Sequence, residues 1–306
     1  MKPPPFDYVA PTSIDEAVAA LAQGGIEAKV LAGGQSLVPL LNFRLARPTL
    51  LVDLNRVAEL AYLTERDGGI AIGAMTRQAR VERDPALAHS QPLLREAIRW
   101  VGHAAIRSRG TIGGSLAHAD PAAELPAVAV CLDAQFSVIG PRGRRSIPAA
   151  DFFLGYLSTA LEPDEILVEA WLPALAPCTG QAWLEFARRH GDFALAGVAV
   201  SLCLRGERVQ TARIVLTGVG GIPVRAREAE TLLIGSSVLE RASAAADAVR
   251  SSIDPDADIH ASKEYRAHLA GVLTERAVRL AYERALASAP AALDVRRALE
   301  TMSRYA

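Results

Sequence analysis

The chain has 306 residues, of which 50% are hydrophobic and 22% charged, and its formal net charge is -1. This length predicts about two domains with a sizeable buried core. The balanced charge excludes a strongly basic surface for nucleic acid or anionic membranes, and no apolar run is long enough to span a membrane.

The three cysteines, Cys131, Cys178 and Cys203, are widely spaced and form no C-x-x-C pair. The chain alone therefore cannot ligate an iron–sulfur cluster through the usual cysteine spacing, and we expect all three to be small buried apolar residues. Their odd, sparse count, together with a start that lacks an apolar signal segment, predicts a cytoplasmic location. No zinc-ligand spacing or Ser–His–Asp arrangement stands out, so we assign no metal ligand and no catalytic side chain.

The first part of the chain predicts a β–α–β–loop–α–β unit that ends near Asn55. Ser13 to Glu16 fits a capping box, and Gly24-Gly25 ends the helix that it begins. The remaining predicted elements are strands at 6–10, 29–31 and 49–54 and a short helix at 37–43 with Ser36 as its cap.

A second unit begins near Val57 and opens with a hairpin around Asp67-Gly68-Gly69. Helices are predicted at 77–83, 91–101 and 125–132, although the last apolar run also fits a strand. Strands at 135–139, 145–147 and 165–172 follow, then a linker at 175–180, three strands and three helices. We therefore predict domains at 1–175, with lobes at about 1–56 and 57–175, and at 176–306.

We predict two loops that each place a glycine pair beside hydroxyl residues: Ala32-Gly33-Gly34-Gln35-Ser36-Leu37 and Thr111-Ile112-Gly113-Gly114-Ser115. Glycine lets a ligand approach the backbone, and successive N–H groups can converge on an anion. One such segment alone fits a structural turn. Two segments without the lysine of a P-loop indicate a ligand with two phosphates and a large organic body, which we interpret as a flavin dinucleotide. Gly218-Val219-Gly220-Gly221 begins like a Rossmann fingerprint, but Pro223 replaces the third glycine, so we interpret it as a strand end.

These two segments, with Ala119-Asp120-Pro121-Ala122-Ala123-Glu124 and Arg188-Arg189-His190-Gly191-Asp192-Phe193-Ala194, resemble the FAD-binding (medium) subunit of molybdenum hydroxylases, the xanthine dehydrogenase family. The nearest branch is the medium subunit of aerobic carbon monoxide dehydrogenase. The resemblance covers about residues 6–287. It implies an α+β fold, in which a two-lobed FAD-binding domain of the vanillyl-alcohol-oxidase (PCMH) type precedes a smaller C-terminal domain with a three-stranded sheet and helices.

The resemblance also implies partners: a molybdopterin-binding large subunit, a small subunit with [2Fe–2S] clusters, and an external electron acceptor, in a dimer of heterotrimers. It places FAD near a first set of residues, Lys29, Val30, Leu31, Ala32, Gly33, Gly34, Gln35 and Ser36. A second set is Thr111, Ile112, Gly113, Gly114 and Ser115, where Ser115 replaces an asparagine of many members. Glu124, often Asp in the family, matches an acid near the ribityl or ribose hydroxyls, Leu167 a flavin-side strand position, and Asp192 and Phe193 a loop near the isoalloxazine ring.

Other candidate residues leave two interpretations open. Arg107 and Arg109 fit either phosphate contact or structural roles, and Arg188 to His190 fit either a solvated turn or a flavin-side loop. We interpret His118 as structural and the three tryptophans as core residues. Two rival functions remain: a self-contained flavoenzyme of the same fold that oxidises a small substrate directly, and a non-enzymatic scaffold that has lost FAD.

Overall fold

The computed structural model describes residues 2–288. Its first sheet is parallel, in the strand order β1–β3–β2. Each connection between successive strands of this sheet contains a helix, as is usual for parallel strands. Ser13 caps the first helix by accepting the N–H of Glu16 at 3.2 Å, and Gly25 ends it with φ 59°. The elements are β1 Asp7–Val9, α1 Ile14–Gly24, β2 Ala28–Leu31, α2 Leu37–Asn42 and β3 Leu50–Asp53. The predicted order of this unit is confirmed, and Leu31 and Asp53 pair where β2 and β3 end.

The second sheet is antiparallel, in the order β4–β5–β10–β6–β7. Asp67 (φ 53°) and Gly68 (φ 69°) form the turn of its first hairpin, as predicted from the Asp-Gly pair. Its strands are β4 Leu63–Arg66, β5 Gly69–Gly73, β6 Gln135–Gly140, β7 Gly143–Pro148 and β10 Ile166–Pro173. A small pair, β8 Phe153–Gly155 and β9 Ser158–Thr159, lies apart from it.

Helices fill the connection between β5 and β6, and one short helix follows β7. They are α3 Gln78–Arg83, α4 Leu87–Ser90, α5 Pro92–Ile98, α6 Ala104–Arg109, α7 Ile112–His118, α8 Glu124–Cys131 and α9 Ala149–Phe152. The helical alternative for α8 is confirmed, and all of its residues are buried. The predicted helix at 91–101 is shorter than expected. Helix α6 was not predicted, because its one buried residue is Arg107 and it has no apolar stripe.

The third sheet has the order β11–β12–β13–β14, so our expectation of three strands is wrong by one short strand. The residues between β10 and β11 are 174–178, fewer than the predicted linker. The elements are β11 Thr179–Phe186, β12 Ala196–Arg205, β13 Arg208–Thr217, β14 Val224–Arg225, α10 Arg227–Leu233, α11 Val238–Ser252 and α12 Lys263–Ala287. None of the helices within residues 2–288 combines the length and apolar character that crossing a membrane requires.

The third sheet also holds part of the second unit in place. The hydroxyl of Thr217 lies 2.8 Å from the carbonyl oxygens of Pro121 and Ala123, and the N–H of Gly218 donates to Pro121 at 2.9 Å. Arg284 forms an ion pair with Glu96 at 2.7 Å. The C-terminal part of the chain therefore contacts the second unit at two places, the segment just before α8 and helix α5.

Candidate functional site

A cleft of about 480 Å³ opens where β2 and β3 end and faces helix α6. Ligands of α/β folds commonly bind outside the carboxyl ends of parallel strands, because loops diverge there. The lining residues are Leu31, Ala32, Gly33, Gly34, Gln35, Val38, Pro39, Asp53, Asn55, Ile106 and Arg109. Five of the predicted site residues, Leu31 to Gln35, therefore line one cleft.

The first glycine segment presents unused backbone donors to this cleft. Within residues 2–288, no protein acceptor receives the N–H of Gly33, Gly34, Gln35 or Ser36. Gly34 has φ 73°, and the side-chain amide of Gln35 donates to the carbonyl of Gly33 at 2.9 Å, which shapes the turn. Ser36 occupies the N-cap position of α2 as predicted, but its side chain makes no capping hydrogen bond. Successive free N–H groups in such a turn form a concave site for an anion.

The second glycine segment is built differently, and our expectation of a loop is wrong. Gly113 and Gly114 lie in the first turn of α7, and Thr111 caps this helix by accepting the N–H of Gly114 at 3.0 Å. The N–H groups of Ile112 and Gly113 donate to Thr76 and Ala74 at 3.0 and 2.8 Å. These donors are occupied by the protein, so they are not offered to a ligand.

The two segments nevertheless contact each other. A Cβ at Gly33 would lie 2.5 Å from the carbonyl oxygen of Arg109, and one at Gly114 would lie 3.2 Å from the Cβ of Ala32. A Cβ at Gly113 would collide with Ala74. Glycine is required at Gly33 and Gly113 because backbone packs against them. The second segment thus packs directly against the backbone of the first.

Two ionisable side chains, Asp53 and Arg109, line the cleft. The Asp53 carboxylate accepts hydrogen bonds from the hydroxyl of Tyr8 at 2.6 Å and from the backbone N–H of Asn55 at 2.9 Å. The hydrogen bond from Tyr8 to Asp53 raises the pKa of Tyr8. Arg109 is exposed at the end of α6 and can offer its guanidinium to an anion. The sequence analysis missed Asp53 and Asn55, although polar residues directly after a parallel strand were an available signal.

Glu124 does not line the cleft. It is buried at the start of α8 and is electrostatically coupled to Glu185, a buried residue of β11. Burial raises the pKa of both carboxyl groups, and the charge of Glu124 raises that of Glu185 further. The indole N–H of Trp183 donates to one oxygen of Glu185 at 3.2 Å, while the other oxygen has no partner within the described residues. The pair therefore retains a proton well above the ordinary glutamate range.

The remaining predicted residues are not among those that line the cleft. Lys29 and Val30 lie in β2, and Leu167 is buried in β10. Asp192 and Phe193 are exposed in the loop between β11 and β12, and Phe193 is 68% exposed. This loop contacts the segment before α6, because the ring of His190 stacks on Trp100 at 4.9 Å.

Several open interpretations are now decided. Arg107 is structural, since it is buried and pairs with Glu82 at 2.8 Å. His118 is half-buried, and its burial lowers its pKa. Cys131 is a buried apolar residue, and burial raises its thiol pKa to about 12, whereas Cys178 and Cys203 are partly exposed. No group of three potential metal-ligating side chains occurs within residues 2–288.

Comparison with known proteins identifies the family. The profile described as "FAD binding domain in molybdopterin dehydrogenase" matches residues 4–175, and "CO dehydrogenase flavoprotein C-terminal domain" matches residues 181–281. The 6-hydroxypseudooxynicotine dehydrogenase complex subunit alpha of Paenarthrobacter nicotinovorans is 45% identical over 287 residues, 93% of this chain and 97% of that protein. The carbon monoxide dehydrogenase medium chain of Hydrogenophaga pseudoflava is 40% identical over 93% of this chain and 99% of that protein.

A solved structure agrees with these sequence matches. The carbon monoxide dehydrogenase of Hydrogenophaga pseudoflava that lacks the Mo-pyranopterin moiety of its molybdenum cofactor superposes with a TM-score of 0.91 at 42% identity. The match covers 93% of this chain and 99% of that one. Our predicted α+β fold and FAD cofactor are thereby confirmed. The chain belongs to the FAD-binding medium subunits of the carbon monoxide dehydrogenase branch of the molybdenum hydroxylase family, a family of oxidoreductases.

Proposed function

We propose that this chain is the electron-transfer subunit of a molybdenum hydroxylase complex. It would accept electrons from the [2Fe–2S] clusters of a small partner subunit and pass them through FAD to an external acceptor. The substrate would be oxidised on a large molybdopterin-binding subunit. The observation that carries the proposal is the row of four unpaired backbone N–H groups, Gly33 to Ser36, beside the cleft of a chain in this family.

The residues of the cleft fit the diphosphate of FAD. Free N–H groups at short range can bind phosphate oxygens, and each charge-assisted hydrogen bond contributes about 1.5–3 kcal/mol. Arg109 adds a positive charge at the same rim. When bound, FAD supplies the redox chemistry, because its isoalloxazine ring exchanges electrons singly or in pairs. The chain's own residues bind and orient it.

The other predicted site residues have proposed roles around this cradle, by which we mean the backbone N–H groups of Gly33 to Ser36. Thr111 to Ser115 back the first segment, and Lys29, Val30 and Leu167 lie on strands that approach the nucleotide. Because Glu124 is buried, it would contact the ribityl or ribose hydroxyls only as a protonated carboxylic acid, or as one that shares its proton with a neighbouring group. Asp192 and Phe193, on an exposed loop next to the segment before α6, would lie near the isoalloxazine ring.

The cysteine content supports dependence on a partner. A [2Fe–2S] cluster takes four ligands, so two clusters need far more thiolates than Cys131, Cys178 and Cys203 provide. Relatives named as a "medium chain" and as a "complex subunit" support assembly with further subunits. We propose a dimer of heterotrimers in the cytoplasm, with the chain divided into domains at about residue 175.

The test is reconstitution. The purified full chain should carry about one FAD, while remaining inactive alone toward carbon monoxide, purines, aldehydes and nicotine-type heterocycles. Reduced small subunit should then reduce the bound FAD, and quinone, NAD or oxygen should be compared as acceptors. Turnover by the isolated chain would identify a self-contained flavoenzyme instead. A chain that binds no FAD at all would refute the proposal and favour the scaffold.

A further inference from the structure

Two side chains outside the predicted site, Asn55 and Arg77, connect the glycine segments. The amide nitrogen of Asn55 donates to the carbonyl of Ala32 at 2.9 Å, at the start of the first segment. Its amide oxygen accepts from the guanidinium of Arg77 at 2.6 Å. The same guanidinium donates to the carbonyl of Arg109, two residues before the second segment begins at Thr111. These bonds form one continuous path between the segments.

Both ends of this path are fixed by other contacts. The Asp53 carboxylate accepts the backbone and side-chain N–H groups of Asn55 at 2.9 and 2.5 Å, so the amide cannot rotate freely. The backbone next to Arg77 runs along the second segment, because the N–H of Gln78 donates to Gly110 at 2.9 Å. The backbone of Arg77 is therefore held beside the second segment, and its side chain is connected to the first segment through Asn55.

The charges agree with this arrangement. Burial and the neighbouring Arg109 cation lower the pKa of Arg77, and Asp53 opposes that effect. A guanidinium remains charged in such surroundings and can serve two acceptors at once, which an ammonium group cannot do with the same geometry. Arg77 does not line the cleft, so its effect on a ligand must pass through the backbone that it holds.

We propose that Arg77, acting through Asn55, is a positioning residue that holds the free N–H groups of Gly33 to Ser36 in their binding arrangement before FAD arrives. This inference rests on the proposed FAD site. Without the bridge, the first segment would adopt the competent arrangement for only part of the time. A ligand that needs a partly populated state binds with reduced apparent affinity, and the loss falls on the association rate when the bound state is unchanged.

The experiment compares Arg77→Met with Arg80→Met in the full chain from which FAD has been removed. Arg80 lies in α3, which begins one residue after Arg77, and also donates to a backbone carbonyl, that of Ala61 at 3.2 Å, but it joins neither glycine segment. Stopped-flow mixing with FAD should show a loss of affinity of about 10- to 100-fold for Arg77→Met, mostly in the association rate. Arg80→Met should match the wild type. The melting temperature of each FAD-free variant reports separately on the fold.

A second variant keeps the inference testable if Arg77→Met folds poorly. Asn55→Ala breaks the same path from the other side. The double variant should lose little more FAD affinity than either single variant, because each of the three variants lacks the same connection between the segments. Equal FAD association by wild type and both single variants would overturn the inference, as would a loss confined to the dissociation rate. A wild-type chain that fails to bind FAD would instead refute the proposed function.

Discussion

Replacing Gly33 with alanine tests whether the cradle depends on the contact between the two segments. The added Cβ would lie 2.5 Å from the carbonyl oxygen of Arg109 and 2.8 Å from the Cα of Gly110, both backbone atoms. Ordinary contact begins at 3.4 Å, so the segments must separate by about 0.9 Å (3.4 minus 2.5). Gly33 does not have a positive φ, so the cost is steric rather than conformational.

The expected magnitude follows from this displacement. Overpacking a tight site costs typically about 1–3 kcal/mol, which corresponds to a decrease in melting temperature of about 2–5 °C for a chain of this size. A shift of nearly 1 Å would also misplace at least one N–H donor, and one lost charge-assisted bond weakens FAD binding by roughly 10- to 100-fold. FAD titration followed by flavin fluorescence and thermal unfolding of the FAD-free chain measure the two effects.

Gly155→Ala is the matched control, since a Cβ there meets no atom within 4 Å and its φ is not positive. It should leave both FAD affinity and melting temperature unchanged. If Gly33→Ala binds FAD as tightly as Gly155→Ala, the first segment does not provide the donors, and our assignment of the cleft is wrong.

Three further substitutions test the site. Arg109→Met should weaken FAD binding about three- to tenfold and reduce its salt dependence, as titrations at low and high salt would show; equal salt dependence would exclude a phosphate contact. Thr111→Val should remove the cap of α7 and lower the free energy of unfolding by about 1 kcal/mol in a urea titration, and an unchanged midpoint would contradict this role. Because the pKa of Glu185 is raised to about 8 in the folded state, the stability from its bound proton is complete below about pH 4.5 and is lost as pH rises from there to about pH 8. Glu185→Gln should reduce that loss in the FAD-free chain to the part that Glu124 contributes, whereas Glu65→Gln on exposed β4 should preserve it.

Hydrophobic periodicity and turn chemistry were sufficient to predict most elements. The cap at Ser13, the Asp67-Gly68 turn and the alternation within β6 are local signals, so they could be recognised without tertiary information. Helix α6 could not be predicted this way, because the residue that it buries is Arg107, whose ion-pair partner Glu82 lies 25 residues earlier in the chain. The short strand β14 is only two residues long and exists through its pairing with β13.

The site was predictable only in part for the same reason. Gly33 and Gly34 are recognisable as a turn that can expose N–H groups, and they line the cleft. Arg77 carries no local signal, because its importance lies in the backbone carbonyl oxygen of Arg109 and the side-chain amide of Asn55, which the fold brings to it. Glu124 was expected near the nucleotide, yet its burial beside Glu185 depends on the packing of α8 against the third sheet.

The two glycine pairs have nearly the same sequence but different physical roles. Glycine is a poor helix former, so Gly113-Gly114 looks like a loop until the carbonyl oxygen of Ala74 and the hydroxyl of Thr111 accept its two N–H groups. Because its N–H groups already have acceptors, the role of Gly113-Gly114 is to be small, so that the backbone of the first segment can pack closely against it. Gly33-Gly34 has N–H groups without an acceptor within residues 2–288, and the contact with the second segment keeps these groups close together. The proposed phosphate site therefore needs both segments, although only the first has backbone N–H groups that find no acceptor within residues 2–288.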